Sequence, residues 1–243
     1  MSGPLPSFLE NRGLELLLFG GKGGVGKTTC ATSAALRMSG LAPATSFLLV
    51  SIDPAHSLED SLAGLTPPVN LKILELDAPE YLAKFRARNG QILREIAAAG
   101  TFLDDEDVNQ FLNLSLPGLD ELMAFLEISG WLEDHSYDSI VVDTAPSGHT
   151  MRLLTMPGLI RKWLRMLDIL LAKRRYLKKV FGKSAGRDRL DLFVAEWDAS
   201  LRRTETLLRD PLRCRFVPVT TAEPLSVRET AALLRQLRQW SIP

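Results

Sequence analysis

Residues Gly20–Thr29 read Gly-Gly-Lys-Gly-Gly-Val-Gly-Lys-Thr-Thr and follow directly on the apolar run Leu14–Phe19. So much glycine disfavours both strand and helix, because each glycine loses more backbone freedom on folding than any other residue. Within the stretch, Gly21–Thr28 fits G-x-x-x-x-G-K-[ST], the phosphate-binding loop. Bare backbone lets successive N–H groups turn inward onto phosphate oxygens, and the helix that follows adds its positive N-terminal end. Lys27 then offers a compact cation to the β- and γ-phosphates, and the Thr28 hydroxyl a ligand for Mg²⁺. The nucleotide-binding set is Gly21, Lys22, Gly23, Gly24, Val25, Gly26, Lys27, Thr28 and Thr29. Lys22 is the odd member, since two ammonium groups crowded onto one phosphate repel. It is either a solvated loop cation or a residue that reaches a nucleotide held by another subunit.

A phosphate loop of this kind needs a strand before it and a helix after it, and the rest of the chain repeats that alternation. Short apolar runs at Leu14–Phe19, Phe47–Ile52, Leu71–Leu76, Ser139–Val142 and Arg215–Val219 read as strands buried on both faces. Helical spacing lies between them. Thr28–Met38 is predicted to end at Gly40, Tyr81 to Ile96 form a second helix, and Leu119 to Ile128 a third. This order predicts an α/β fold, a mostly parallel sheet flanked by helices, in one domain over residues 1–243 with a helical insertion at 158–210. The acidic run Asp104–Asp107 reads as a solvated loop. The chain closes on Leu-Arg-Gln-Trp-Ser-Ile-Pro, where a further strand is expected, so the reading is of a domain truncated at its C-terminal end.

Lysine plus arginine equals aspartate plus glutamate at 29 each, so no global field draws the chain to nucleic acid or an anionic membrane. Two distant cysteines, Cys30 and Cys214, form no disulfide framework and point to a reducing compartment. No secretory pattern opens the chain and no uncharged run reaches the ~18 residues of a membrane span. The expected location is cytoplasmic.

Two aspartates follow strands. Asp53 opens Asp-Pro-Ala-His-Ser after the second, and Asp143 opens Asp-Thr-Ala-Pro-Ser-Gly-His-Thr after the fourth. The C-terminal edge of an open α/β sheet is where ligands bind, and a carboxylate there can orient a water or hold the water shell of Mg²⁺. Taken singly, each is equally a cap for the turn that follows. Two beside a phosphate loop favour function, and the Pro- and Gly-containing followers suit segments that respond to a γ-phosphate.

Gly-Lys-Gly-Gly-Val-Gly-Lys-Thr-Thr resembles the deviant Walker A loop, whose early lysine contacts the partner's phosphates in a nucleotide-sandwich dimer. Asp53–Ser57 and Asp143–Thr150 are similar to switches I and II of the arsenite-pump and tail-anchored-protein-targeting ATPases. Leu116–Leu122 and Thr220–Thr230 also resemble stretches of that family, so the resemblance covers almost the whole chain in order. It implies ATP and Mg²⁺ as cofactors and a homodimer or fused pseudo-dimer across the nucleotide. It further implies that Asp53, Lys27 and Lys22 are the catalytic residues, with Thr28, Asp53 and Asp143 serving the metal. Asp53 positions the attacking water and Asp143 supports Mg²⁺ through water. His56 and His149 belong to the two switches, either with a direct role or as hydrogen-bonded loop residues. Clustered cysteines of the metalloid-binding members and the C-x-x-C zinc clasp of the targeting members have no counterpart in this sequence. Cys30 reads as packing within the phosphate-loop helix. The family's adenine segment is expected beyond Pro243, and Val108–Gln110 matches its signature only by coincidence.

Within the insertion, Ile160, Trp163, Leu164, Leu167, Leu170 and Leu171 form one helical stripe, and Leu159, Met166 and Ile169 widen it past a single packing face. Residues 158–189 carry eleven lysines or arginines against two aspartates. By resemblance these helices receive a hydrophobic client helix. Physically they equally suit a helix pair packed on itself with a basic rim. Two functions follow: an ATPase whose cycle opens and closes a surface for cargo or a membrane partner, or a nucleotide-gated module of the partitioning and septum-positioning type with slow turnover. The switch sequences favour the first. The load, whether metalloid, membrane-protein tail or another, is open at this point.

Overall fold

The computed structural model describes residues 6–11, 13–53, 58–100, 119–145, 161, 164, 165, 168, 169, 171, 172, 175, 176 and 189–243. Five strands form one parallel sheet: β1 (Leu16–Gly20), β2 (Phe47–Ser51), β3 (Leu71–Glu75), β4 (Ser139–Asp143) and β5 (Cys214–Pro218). Their spatial order is β3-β2-β4-β1-β5. The helices are α1 (Lys27–Leu41), α2 (Leu58–Leu62), α3 (Ala78–Gly100), α4 (Leu119–Glu133), α5 (Arg189–Arg209) and α6 (Pro224–Gln239). All five expected strands are present, each within two residues of its predicted ends.

The three central strands β1, β2 and β4 are buried along their whole length, whereas the edge strands β3 and β5 are only partly covered. This is why the central runs lack polar alternation: both faces carry helices. Successive side chains point to opposite faces, and two cores result. Leu16, Leu18, Leu48, Val50, Ile140, Val142, Cys214 and Phe216 meet α4, α5 and α6 on one face. Leu17, Phe19, Leu49, Leu71 and Val141 meet α1 and Leu58 of α2 on the other. A third cluster, away from the sheet, joins Ile92 of α3, Met123 of α4 and Leu190, Val194 and Leu201 of α5 to Leu164 and Leu171.

The first helix departs from expectation at its end. It runs through Gly40 to Leu41, and Ala42 leaves the helix with φ −132° and ψ 73°. The stop is Pro43, whose ring disfavours helical geometry in the residue before it. An exposed glycine within a helix is a weak breaker by comparison. Cys30 is also exposed on α1 and is not the packing residue expected, whereas Cys214 is buried as the first residue of β5.

The described positions between Arg161 and Tyr176 are helical and run antiparallel to α5. Arg161 pairs with Glu205 at 2.9 Å, and Arg175 pairs with Asp191 near the other end. The apolar stripe divides. Leu164 and Leu171 are core, while Ile169 is 68% exposed. Trp163, Met166, Leu167 and Leu170 lie outside the described residues, as do His56, His149, the acidic run and Val108–Gln110. No helix among the described residues is long and apolar enough to cross a membrane.

Candidate active site

Strand β1 delivers the phosphate loop to the C-terminal edge of the sheet. A Cβ on Gly21 would collide with the Val219 carbonyl at the end of β5, so only glycine lets the loop leave the sheet here. Gly24 and Gly26 hold φ of 77° and 90°, the left-handed region that side chains avoid. Gly26 is the N-cap of α1, with no side chain capping the helix and no acidic residue in its first turn. The first-turn N–H groups and the positive helix end are thus presented to an anion.

Lys27 opens α1 and is 5% exposed. Its ammonium lies 3.4 Å from the Lys22 carbonyl oxygen, to which it donates, and 3.7 Å from Asp53 Oδ2. Thr28 donates its hydroxyl to Asp143 Oδ2 at 2.7 Å, and Ser51 donates to the same oxygen at 3.2 Å. The Ser51 hydroxyl in turn accepts the backbone N–H of Asp53 at 3.2 Å. Lys27, Thr28, Asp53 and Asp143 are therefore brought into one largely buried constellation from one helix and the ends of two strands. Sequence reasoning assigned Ser51 no role. Its one signal was a hydroxyl ending an otherwise apolar strand, two residues before Asp53.

Asp143 is fully buried, and its Oδ1 has no hydrogen-bond partner among the described residues. Burial pushes its carboxyl above the ordinary carboxylate range, with the Asp53 charge adding to the rise. The hydrogen bonds from Thr28 and Ser51 and the Lys27 charge act in the opposite sense. One ammonium facing two carboxylates leaves an excess negative charge in a dry site, which a divalent cation would balance. That chemistry and the open Oδ1 fit Mg²⁺.

Lys22 sits apart from this group. Its ammonium is 3.6 Å from Glu223 Oε2 of the same chain, a half-exposed pair at the N-terminus of α6. Gly23, Thr29 and the side of Val25 open to solvent around the loop. The two thiols are far from a common ligand set: Cys30 is on α1, against one face of the sheet, and Cys214 points into the core on the other.

The profile of the anion-transporting ATPase family matches residues 14–243. The chain is similar to the ATPase get3 of Schizosaccharomyces japonicus, 30% identical over 254 residues covering all of this chain and 76% of that protein. It is 32% identical over 254 residues to the ATPase GET3 of Mycosarcoma maydis, covering 98% of this chain and 72% of the relative. Against the ATPase get3 of Aspergillus terreus it is 33% identical over 261 residues, all of this chain and 74% of the relative. A phosphate loop on a parallel sheet, two strand-end aspartates beside it and a family match along nearly the whole length lead to one conclusion: the chain belongs to the anion-transporting ATPase family and is a nucleotide-binding ATPase.

Proposed function

We propose that this ATPase hydrolyses ATP with Mg²⁺ in a dimer, homodimeric or fused, whose protomers close across the nucleotide and reopen after hydrolysis. The cycle gates a surface for cargo or a membrane partner. We read residues 1–243 as one ATPase unit with a helical insertion at 158–210. The observation that carries the reading is the constellation of Lys27, Thr28, Asp53 and Asp143, with the open, buried Oδ1 of Asp143.

In this reading Lys27 and the first-turn amides of α1 bind the β- and γ-phosphates. Thr28 and Asp143 would hold Mg²⁺, with Asp53 contributing to the same shell. Bound there, Mg²⁺ neutralises charge developing on the phosphate oxygens. Lys27 has a choice of partners: turning toward phosphate, it leaves Asp53, whose carboxylate then orients the attacking water. Ser51 keeps the two aspartates in register by bonding both. Lys22, parked on Glu223 in the single chain, crosses to the partner's nucleotide when the dimer closes.

For cargo, the placement of the two thiols on opposite sides of the sheet favours a hydrophobic helix over a metalloid. The exposed Ile169 beside the buried Leu164 and Leu171 supports a client surface on the 158–189 segment, whose basic rim suits anionic headgroups near a membrane-protein tail. Steady-state hydrolysis by Lys27→Ala and Asp53→Asn tests the core of the proposal. Lys27→Ala should lose nucleotide binding. Asp53→Asn should keep binding but lose about 10²–10⁴-fold in kcat, since an amide accepts no proton from water. Parental turnover by Asp53→Asn refutes the assigned role.

A further inference from the structure

The phosphate loop is rooted in Gly20, the last residue of β1, and β5 shapes the space around that root. Leu16 and Leu18 point into the core under α4, α5 and α6, and by strand alternation the next position on that face is Gly20. No side chain stands there, and the ring of Phe216 fills the place. A Cβ built on Gly20 would fall inside the ring's van der Waals envelope, nearest Cζ, with Cε1 at 3.0 Å and Cε2 at 3.3 Å. The register sets this up. Leu18 pairs with Phe216 and Gly20 with Pro218, so the ring reaches along the sheet toward its C-terminal edge. It has little room to yield: Phe216 is buried in the same cluster as Leu233 and Leu237 of α6, and its N–H donates to the Pro243 carbonyl at 2.8 Å.

Within the plane of the sheet the root is held on both sides. The Gly20 carbonyl accepts the Val219 N–H at 2.8 Å on the β5 side. On the β4 side the Phe19 carbonyl accepts the Thr144 N–H at 3.1 Å and the Thr144 hydroxyl at 2.8 Å. These bonds resist a sideways shift, so a change of pressure from the ring is relieved along the path by which Gly21 and Lys22 leave the sheet. That path reaches the cation, because the Lys22 carbonyl accepts the Lys27 ammonium at 3.4 Å. We propose that Phe216 is a positioning residue for the nucleotide: its ring, seated where Gly20 lacks a side chain, sets the angle at which the phosphate loop leaves β1, and so the aim of the loop's N–H groups and of Lys27. This rests on the reading of Gly21–Thr29 as the phosphate-binding loop. The effect falls on nucleotide affinity, where misaligned phosphate donors are felt.

The test is a size swap in the full chain: Phe216→Leu, Gly20→Ala and the two together. Each is titrated calorimetrically with Mg²⁺-ADP at a temperature where circular dichroism shows it folded. Leucine ends at its δ carbons and so lacks Cζ, Cε1 and Cε2, the ring atoms that crowd Gly20, while alanine in place of Gly20 offers a methyl to the space they leave. Misaligning one N–H toward a charged phosphate costs about tenfold in affinity, so each single change should weaken ADP binding by about that factor. The double variant should return to within about threefold of the parent. The ³¹P shift of the bound β-phosphate should move in each single variant and return in the double, which a mere loss of core packing does not produce. Parental affinity in either single variant, or losses that add in the double, overturn the proposal. Where Gly20→Ala alone does not fold, the double is set against Phe216→Leu: tighter binding by the double supports the role of the ring, and equal or weaker binding overturns it. Lys27→Ala controls the reading beneath. Parental ADP binding by Lys27→Ala removes the loop as the phosphate site, whereas its loss beside parental binding by Phe216→Leu removes only the role of Phe216.

Discussion

Replacing Thr28 by valine removes one hydroxyl with almost no change of shape. Without ligands that hydroxyl donates the 2.7 Å hydrogen bond to Asp143, a carboxylate with no solvent exposure. A hydrogen bond to an ionised buried group contributes about 1.5–3 kcal/mol, so at neutral pH Thr28→Val should destabilise the apo-protein by about 2 kcal/mol. In a protein of this size that corresponds to a fall in Tm of about 4–8 °C. The pH dependence follows from the direction of the Asp143 shift. Burial holds its folded-state pKa above the unfolded value, so the folded protein binds this proton more tightly than the unfolded chain. Ionisation therefore costs stability as pH rises from the ordinary carboxylate value through the raised one, and the Thr28 bond offsets part of that cost. Below that window the carboxyl is neutral in both states and only an uncharged hydrogen bond is lost, about 1 kcal/mol. Urea melts of parent, Thr28→Val and Thr28→Ser without nucleotide, at pH 7.5 and at the lowest pH where all are folded, measure the effect. The valine penalty should shrink toward acid, and serine should track the parent. A penalty equal at both pH values, or none at all, refutes the claim that Thr28 stabilises an ionised Asp143.

Three further outcomes are expected. Mixing Lys22→Ala with Asp53→Asn protein should restore hydrolysis, because one site of the mixed dimer keeps both residues. No recovery at any ratio, with subunit exchange shown independently, counts against a trans role and leaves Lys22 on Glu223. Alkylation of the folded protein at pH 8 should label Cys30 alone, since burial pushes the Cys214 thiol up to about 12 and closes it to reagent. Mass spectrometry would show a second adduct on the native protein if this is wrong. Ile169→Ser should leave the melting temperature within about 2 °C of the parent while weakening capture of a hydrophobic helical peptide by the nucleotide-bound protein. Leu164→Ser should instead destabilise by about 2–5 kcal/mol, having been cut from a packed cluster. Undiminished peptide capture by Ile169→Ser moves the client surface elsewhere.

Much of this protein was legible in its residues because the rules involved are short-range. Glycine at positive φ, a lysine and a threonine at the start of a helix, and apolar runs of strand length each declare themselves within ten residues. Asp53 and Asp143 were found for the same reason, as the first polar groups beyond apolar strands. Local rules failed where a neighbour outranked a residue's own preference. Gly40 did not stop α1 because Pro43 did, and Cys30 faced water because α1 meets the sheet along its Ala31, Ala34, Ala35 and Met38 side.

What only the tertiary structure decided is which groups meet. Strand β4 inserts between β1 and β2, an order the chain does not announce. That insertion sets Asp143 beside Thr28, 115 positions away in sequence, and beside Ser51, 92 away. The pairing of β3 with β2 brings Glu75 to the N–H of Leu58, and the last strand carries Glu223 to Lys22. Each of these contacts depends on strand order and register, in which one residue of slip turns a side chain to the opposite face of the sheet. The residue types of the candidate site were therefore readable from the sequence. Their partners, and the dry environment that raises the Asp143 carboxyl, arise only when distant strands are stacked under the same helices, because burial and proximity are properties of the packed sheet and not of any segment in it.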